Sequence, residues 1–255
     1  MSVDAVAGSS LPYDEMLDGT SPRPSHRSLH EILTSLGPAD LGERARQRDA
    51  YLDRHGITFT LAGRERPLPL DLVPRLITPE EWASIEAGVT QRIRGLEAFL
   101  ADIYSSGQII QDGVIPRSLV TSSTHFHRQA WGIEPPNGVR IHVSGSDLIR
   151  DEEGRFRVLE DNLRNPSGVS YVLENRRTLA HVLPEIFARH RVHPVSEYPE
   201  KLLEALRAAK PIDVDEPTIV VLTPGVHNSA HYEHAFLARR MGVELVEGRD
   251  LYCRD

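Results

Sequence analysis

The sequence has little of what marks several large protein classes. Its 255 residues include one cysteine, Cys253, which excludes an intrachain disulfide framework and a cysteine-based zinc site. No apolar run approaches the roughly 20 residues that a membrane helix needs. The first residues lack a basic start followed by an apolar stretch, so we predict no secretory signal and expect a cytoplasmic protein.

The chain also lacks an excess of positive charge, since 29 basic residues stand against 37 acidic ones. The formal net charge is −8, which argues against nucleic acid as a partner because no excess of cations can neutralise phosphates. The lysines are Lys201 and Lys210, and neither a P-loop nor a G-x-S-x-G motif is present. Hydrophobic residues make up 40% and charged residues 26%, which is typical of a globular protein.

The start of the chain predicts a lead-in followed by helix and strand. Residues 1–27 are rich in Ser, Gly, Pro and Asp, which predicts a flexible segment. Within it, the apolar side chains could still dock on the body of the protein: Leu11, Tyr13 and Met16. Apolar spacing predicts a helix over 28–55, and alternation predicts a strand over 57–61.

A capping box predicts the start of the clearest helix. Thr78 supplies the cap, Pro79 the first helical position, and Glu81 the acidic residue three positions after the cap. Apolar residues then recur every three or four positions, and we expect this face to be buried in the core. Its members are Trp82, Ile85, Val89, Ile93, Leu96 and Leu100.

Two β-rich runs around a short turn predict an antiparallel hairpin. The run 139–151 leads into a Glu/Glu/Gly turn, and the run 156–162 follows at once. Asp147 lies on the first run, and Glu160 and Asn162 lie two positions apart on the second, where side chains share a face. Two carboxylates and an amide oxygen are a hard oxygen set suited to Mg²⁺ or Mn²⁺.

The loop after the hairpin bears on whether these residues form a site. An acidic hairpin can simply be solvated, and the spacing alone leaves that alternative open. The residues that follow are anion donors and turn formers, which a solvated hairpin does not need: Arg164, Asn165, Pro166, Ser167, Gly168 and Ser170.

The second half predicts further helices and a β-α-β unit. Helices are predicted over 171–190 and 198–210, and the polar, proline-bounded stretch 208–217 predicts a domain boundary. The apolar run 218–222 is typical of a strand buried on both faces of a parallel sheet. The remaining pattern predicts a helix at 230–241 that stops at Gly242, and a strand at 243–248.

Two long runs resemble signatures of the circularly permuted ATP-grasp proteins, type 2 group. These runs are GSDLIRDEEGRFRVLEDNLRNPSGVSYVLENRR and VVLTPGVHNSAHYEHAFLARRMGVELVEGRDL. In ATP-grasp ligases an aspartate on one strand and a Glu-x-Asn on the next hold two magnesium ions. Asp147, Glu160 and Asn162 match that pattern, and Asp161, at the variable position, would face away.

The resemblance implies an α/β (α+β) fold with two parts. An ATP-grasp-like antiparallel sheet with helices would occupy 28–210, and a partial doubly wound β-α-β (pre-ATP-grasp) unit would occupy 211–255. The implied activity is ATP- and Mg²⁺-dependent ligation of a carboxylate to an amine through an acyl phosphate. Amino-acid or peptide substrates are implied by the resemblance alone.

Other residues near the two runs are candidates for catalysis and binding. Arg164 and Arg140 flank the carboxylates as candidate catalytic cations, although a lone arginine is often a surface ion-pair partner. Asn165, Ser167 and Arg117 are candidate nucleotide contacts. In related ligases the loop after the first strand of the second unit contacts substrate, which here suggests the following side chains: Asn228, Ser229 and Glu233. Asn228 or Ser229 could cap the next helix, whose N-terminus favours anions. The alternative is that Ser229 is only a cap and Glu233 only a first-turn charge.

A later, lysine-bearing part that clamps adenine and phosphate is expected in such ligases. We therefore expect these 255 residues to correspond to the N-terminal half of the architecture and to lack catalysis on their own. One alternative is a non-catalytic binding module that keeps the fold. Another is a metal hydrolase that uses His125, His127 and His142, although an H-x-H pair without a nearby acidic residue is a weak metal signal.

Overall fold

A computed structural model describes residues 13–61 and 64–253. Leu11 and the rest of residues 1–12 lie outside this part, as do residues 62–63 and 254–255. The helices are α1 (Arg27–Arg54), α2 (Pro79–Ile103), α3 (Gln108–Gln111), α4 (Arg117–Thr121), α5 (Val169–Val182), α6 (Pro184–Arg189), α7 (Tyr198–Ala208) and α8 (His231–Met241). Short 3-10 turns lie at Pro24–His26, Arg128–Ala130, Pro136–Gly138 and Gly248–Asp250.

The strands of the described part pair two by two. They are β1 (Leu17–Asp18), β2 (Ser21–Pro22), β3 (Thr58–Leu61), β4 (Arg64–Pro67), β5 (Gly145–Arg150), β6 (Phe156–Asn162), β7 (Val220–Leu222) and β8 (Glu244–Val246). Three pairs are antiparallel, and β7 runs parallel to β8. The chain is therefore a mixture of helices and small sheets, as an α+β fold requires. Within the described residues, no helix combines the length and apolarity needed to cross a bilayer.

The main core lies between α1 and the α5–α6 pair. The predicted helix over 28–55 is confirmed, with a kink where Gly37 adopts a φ of 69° immediately before Pro38. Its apolar face packs on the end of α5 and the start of α6. The buried cluster consists of Leu29, Ile32, Leu72, Val182, Leu183 and Ile186.

The predicted single helix over 171–190 is wrong, because the chain breaks between α5 and α6. Pro184 has no N–H and its ring clashes with the preceding turn, so α5 ends at Val182. The Nη1 of Arg44 on α1 lies 2.7 Å from the Val182 carbonyl oxygen and donates to it. The break thus leaves a carbonyl that the neighbouring helix satisfies.

The α2 helix begins as predicted, but its apolar stripe is less buried than expected. Thr78 Oγ1 accepts from the Glu81 N–H at 3.2 Å, and the Glu81 carboxylate accepts from the Thr78 N–H at 2.9 Å, which completes the capping box. Trp82 is 55% exposed, and Ile103 is the buried hydrophobic residue of the helix. The expectation of a buried face is therefore wrong for Trp82, and the other members of the stripe are only partly buried.

Part of the predicted lead-in contacts the body. Glu15 pairs with Arg75 and with Arg150, whose Nε lies 3.0 Å from Glu15 Oε1. Arg75 lowers the pKa of the Glu15 carboxyl group. Met16 packs against the core cluster, and the Tyr13 ring lies over Gly154 at the hairpin turn. The docking allowed for Tyr13 and Met16 is thus observed.

The β-α-β unit has the predicted order. β7 pairs in parallel with β8, and α8 between them ends at Gly242, which has a φ of 70°. The expectation that 218–222 is buried on both faces is wrong: Leu222 is 54% exposed, because β8 is the partner of β7 in the described residues. That this unit begins a doubly wound pre-ATP-grasp domain stays a prediction.

Candidate functional site

The predicted hairpin brings the three candidate metal ligands to one open face. Asp147 on β5 lies directly opposite Glu160 on β6, and Gly145 lies opposite Asn162. All three candidate side chains are exposed. The Nδ2 of Asn162 lies 3.2 Å from Glu160 Oε1 and donates to it, so the amide oxygen is the polar atom of Asn162 that remains to bind a cation.

A β-bulge lies beside this set. The register shifts between Asp147 and Leu148, so that Leu148 pairs with Val158 and Leu159 is the extra residue. Leu159 is 67% exposed. A bulge increases local twist and re-aims neighbouring side chains, and bulges are frequent beside functional sites.

The opposite face of the hairpin is fixed to α2. Asp161 accepts from Arg92 Nε at 2.6 Å and from Ser146 Oγ at 2.9 Å, so it faces away from the candidate ligands as predicted. The Arg150 side chain lies on the same side, is 6% exposed and donates to Glu81 at 2.8 Å. These contacts hold the open face in a fixed orientation.

The predicted strand does not begin at residue 139. Glu97 of α2 accepts the backbone N–H groups of Arg140 at 2.6 Å and of Ile141 at 2.9 Å. These amides are therefore used by a side chain and not by a strand partner, so β5 starts at Gly145. Arg140 donates from Nη2 to the Ile133 carbonyl oxygen at 3.4 Å, and within the described residues it makes no hydrogen bond to the carboxylate set.

The donor set on the open face fits a hard divalent cation. Like charges directly opposite each other on paired strands are unfavourable, and Asp147 and Glu160 have that arrangement. In the described part of the chain, Asn162 is the residue that donates a hydrogen bond to this pair. Carboxylate and amide oxygens are the ligands that Mg²⁺ prefers. A bound Mg²⁺ would neutralise the repulsion between Asp147 and Glu160 and could also bind phosphate oxygens.

The loop after β6 lies against the start of β5. A Cβ added to Gly145 would lie 2.8 Å from Pro166 Cβ, so this close approach requires glycine. Asn165 and Ser167 are exposed on the same loop. Arg164 is also exposed, with Nη1 3.4 Å from His125 Nδ1. The loop after β6, with its candidate anion donors, therefore lies beside the hairpin that carries the candidate metal ligands.

Glu233 has a different setting from the other candidate substrate residues. It is buried, and its carboxylate accepts the Gly168 N–H at 2.7 Å, the Ser170 N–H at 3.0 Å and the Ser170 hydroxyl at 2.7 Å. A direct contact of Glu233 with substrate stays a prediction. Its oxygens are already surrounded by donors of the protein.

The other two candidate substrate residues lie ahead of α8. Asn228 Oδ1 accepts the Ala230 N–H at 2.9 Å, and the cap position of α8 is Ala230, which makes no side-chain capping bond. The alternative that Asn228 or Ser229 caps α8 is therefore wrong. The Asn228 side chain binds the backbone two residues further on, which forms a local turn, and α8 begins only at His231.

The remaining candidates are dispersed. Arg117 is exposed at the first position of α4, and its carbonyl oxygen accepts from the Thr121 hydroxyl at 3.1 Å. The His127 N–H donates to Tyr104 Oη at 3.2 Å. Across the described residues, no three His, Cys, Asp or Glu side chains converge to hold a metal. The histidine hydrolase alternative therefore gains no support from the geometry.

Sequence reasoning missed a contact at the end of β7. Thr223 is buried, and its Oγ1 lies 3.0 Å from His234 Nδ1 and accepts the Gly225 N–H at 3.2 Å. Burial lowers the pKa of His234, while Glu233 acts in the opposite direction. The position of His234 directly after Glu233 on α8 does not predict from the sequence that His234 contacts Thr223.

The fold and the open carboxylate face define an α+β protein with a candidate divalent-metal edge. A family profile described as a circularly permuted ATP-grasp matches residues 74–255, and the chain belongs to this family. The finer assignment to the type 2 group stays a prediction.

Relatives with longer chains match nearly the whole sequence. An uncharacterised Mycobacterium tuberculosis protein is 58% identical over 250 residues, covering 96% of this chain and 45% of the relative. An uncharacterised Synechocystis protein is 45% identical, covering 95% and 52%. A Frankia casuarinae protein named "Putative glutamate--cysteine ligase 2-2" is 40% identical, covering 95% and 29%. The chain spans about half or less of the length of these relatives.

Proposed function

We propose that this chain carries the metal- and nucleotide-binding edge of a carboxylate–amine ligase. The observation that carries the proposal is the pair Asp147 and Glu160, directly opposite each other and exposed, with Asn162 beside them. Such a pair destabilises a hairpin unless something positive binds it. Family membership supports a magnesium ion bound to ATP as that positive group.

The residues around this pair would have different binding roles. Asp147, Glu160 and Asn162 would hold the ion, which when bound neutralises charge on the phosphates. Arg164 would bind phosphate or carboxylate oxygens with its planar fork of donors, with Arg140 and Arg117 as further candidate cations. Asn165 and Ser167 would contact the nucleotide, and Asn228, Ser229 and Glu233 would lie on the substrate side.

The proposed reaction has two steps. A carboxylate oxygen of the first substrate attacks the γ-phosphorus of ATP, the bond to the β–γ bridging oxygen breaks, and ADP leaves. An amine then attacks the carbonyl carbon of the acyl phosphate, phosphate leaves, and the nitrogen loses a proton. The name of the Frankia relative supports amino-acid substrates, and this is a proposal for the whole protein.

A non-catalytic binding module is the second candidate. It is favoured by the small donor set, since within the described residues no three His, Cys, Asp or Glu side chains converge to hold a metal. Such a module need not bind nucleotide with magnesium. Magnesium dependence therefore separates the two functions.

The test is a calorimetric titration of Mg²⁺ with a non-hydrolysable ATP analogue. We expect magnesium-dependent binding that Glu160→Gln weakens by at least about tenfold, since one ligand carboxylate is lost. The matched control is Glu152→Gln, because Glu152 is an exposed carboxylate at the turn of the same hairpin. Binding by a folded sample that ignores magnesium, or equal loss in both variants, contradicts the proposal.

A further inference from the structure

The carboxylate of Glu233 is the cap of a helix to which it does not belong. The cap position of α5 is Gly168, which has no side chain, has a φ of 107° and makes no side-chain capping bond of its own. The first N–H groups of a helix need partners and favour negative charge. The Glu233 carboxylate on α8 supplies an acceptor and a negative charge, since it accepts from the Gly168 N–H and the Ser170 N–H.

Burial makes this cap strong. Glu233 is 3% exposed and Ser170 is 0% exposed, so water cannot replace either partner. Hydrogen bonds to an ionised acceptor are roughly twice as strong as neutral ones. The Ser170 hydroxyl adds a further bond at 2.7 Å. The cap therefore ties the start of α5 firmly to the first turn of α8.

The capped helix start is also the end of the candidate nucleotide loop. The loop that carries Arg164, Asn165 and Ser167 ends at Gly168. Pro166, in the middle of this loop, packs on Gly145 of the hairpin. The loop is thus held on one side by the hairpin and on the other by Glu233.

The next residue of α8 reaches the second candidate loop. His234 lies 3.0 Å from the Thr223 hydroxyl, at the end of β7, where the Gly225 N–H also donates. One turn of α8 therefore contacts both the loop after β6 and the loop after β7. A change in this turn would alter the two loops together.

We propose that Glu233 is a positioning residue that fixes the Arg164–Gly168 loop to the first turn of α8. Its carboxylate acts through the backbone of Gly168 and Ser170 and needs no contact with substrate. That the positioned loop meets a nucleotide rests on the proposed function. That the loop is held by Glu233 does not.

A matched pair of variants tests the proposal. Glu174 on α5 is also 3% exposed, and it pairs with Arg177 at 2.8 Å and, across to α8, with Arg240 at 3.9 Å. It makes no hydrogen bond or ion pair with the loop in the described residues. Glu174→Gln therefore reports on the loss of a buried carboxylate between the same helices, and Glu233→Gln reports in addition on the loss of the cap.

The first readout is hydrogen exchange of the full chain, followed by mass spectrometry. In Glu233→Gln we expect exchange of peptides covering residues 163–172 to accelerate by at least about tenfold, with α1 unchanged, and we expect little change there in Glu174→Gln. Equal acceleration in both variants, or none in Glu233→Gln, overturns the proposal. If Glu233→Gln does not fold, Ser170→Ala decides, with selective acceleration of the same peptides expected and no change overturning it.

The second readout is affinity for the magnesium-bound ATP analogue. We expect Glu233→Gln to weaken it by about tenfold and Glu174→Gln to leave it within about twofold. Equal affinity in Glu233→Gln and the unchanged chain would overturn the positioning of the nucleotide loop. If the unchanged chain does not bind, the proposed function fails, and the hydrogen-exchange result still decides whether Glu233 holds the loop.

Discussion

Two pairs of carboxylates in this chain have opposite surroundings. Asp147 and Glu160 lie side by side on the open face of the hairpin, and in the described residues Asn162 donates the hydrogen bond they receive. Glu174 and Glu233 lie between α5 and α8, where arginines or hydrogen-bond donors surround each of them. The charges of the buried pair are balanced by partners within the protein. The exposed pair receives one hydrogen bond from Asn162 in the described residues, so its negative charge is available to bind a cation.

The difference indicates where stability and binding reside. A buried charge without partners is costly, so the α5–α8 junction is expected to tolerate little change. An exposed pair with few contacts contributes little to folding, so its change is expected to alter binding more than stability. Changes in the buried core and at close contacts are therefore expected to have larger effects than changes on the open hairpin face.

The largest effect is expected where α5 meets α6. Leu183 is 0% exposed in the core cluster, and Leu183→Ala removes buried methyl groups and leaves a cavity. We expect the free energy of unfolding to fall by about 3 kcal/mol in urea titrations. The control is Leu159→Ala, since Leu159 is 67% exposed on the hairpin, and we expect a change within about 0.5 kcal/mol. Similar losses in both would remove the contrast between core and open face.

A smaller effect is expected at the close approach of the loop to the hairpin. Gly145→Ala would bring a Cβ within 2.8 Å of Pro166 Cβ, so backbone or loop must shift. We expect a loss of about 1–3 kcal/mol in thermal or urea unfolding.

The matched control is Gly88→Ala within α2, where an added Cβ has nothing within 4 Å. We expect that variant to gain up to about 1 kcal/mol, because alanine favours helix more than glycine does. If Gly145→Ala is as stable as the unchanged chain, the loop is not fixed to the hairpin in this way.

The exposed carboxylate pair should give a small change of the opposite sign. Glu160→Gln removes the repulsion with Asp147, and we expect the free energy of unfolding to rise by about 0.2–1 kcal/mol when a chelator is present. Urea titrations at low ionic strength would measure it. A clear loss of stability would show that Glu160 is a structural residue, as Glu233 is.

The smallest effect concerns pH. Burial lowers the pKa of His234 below its ordinary value, so the unfolded chain binds a proton more readily than the folded one. The stability that depends on neutral His234 is therefore present above the ordinary histidine pKa of about 6.5 and is lost as pH falls through the lowered value. Urea unfolding at several pH values would measure this loss.

The control for this prediction is His234→Asn, which keeps a polar partner for Thr223 and does not titrate. We expect it to reduce the pH dependence below about 6.5. It should not abolish it, because burial also lowers the pKa of His26. An unchanged pH dependence in His234→Asn would mean that this contact is not coupled to folding.

Local signals in the sequence predicted much of the fold. The capping box of Thr78 and Glu81 and the hairpin strand 156–162 were predictable because their partners lie within a few residues. Gly242 ended α8 for the same reason. The family resemblance, carried by two runs of sequence, is confirmed.

The failures involved partners that are distant in the chain. The strand expected at 139–144 is absent from the described structure because Glu97 binds its amides. The helix break at Pro184 is the exception, because the proline that causes it is a local signal. The setting of Glu233 depends on Gly168 and Ser170, which no periodicity connects to α8. The metal-ligating roles of Asp147, Glu160 and Asn162 stay predictions.

The measurement that tests the central claim most directly is paramagnetic broadening by Mn²⁺ of amide signals in the isotope-labelled chain with the ATP analogue. We predict broadening centred on the amides of Asp147, Glu160 and Asn162, and its loss in Glu160→Gln. Broadening centred on His125 and His127, or uniform weak broadening that Glu160→Gln leaves unchanged, would contradict the assignment of the hairpin face as the metal site.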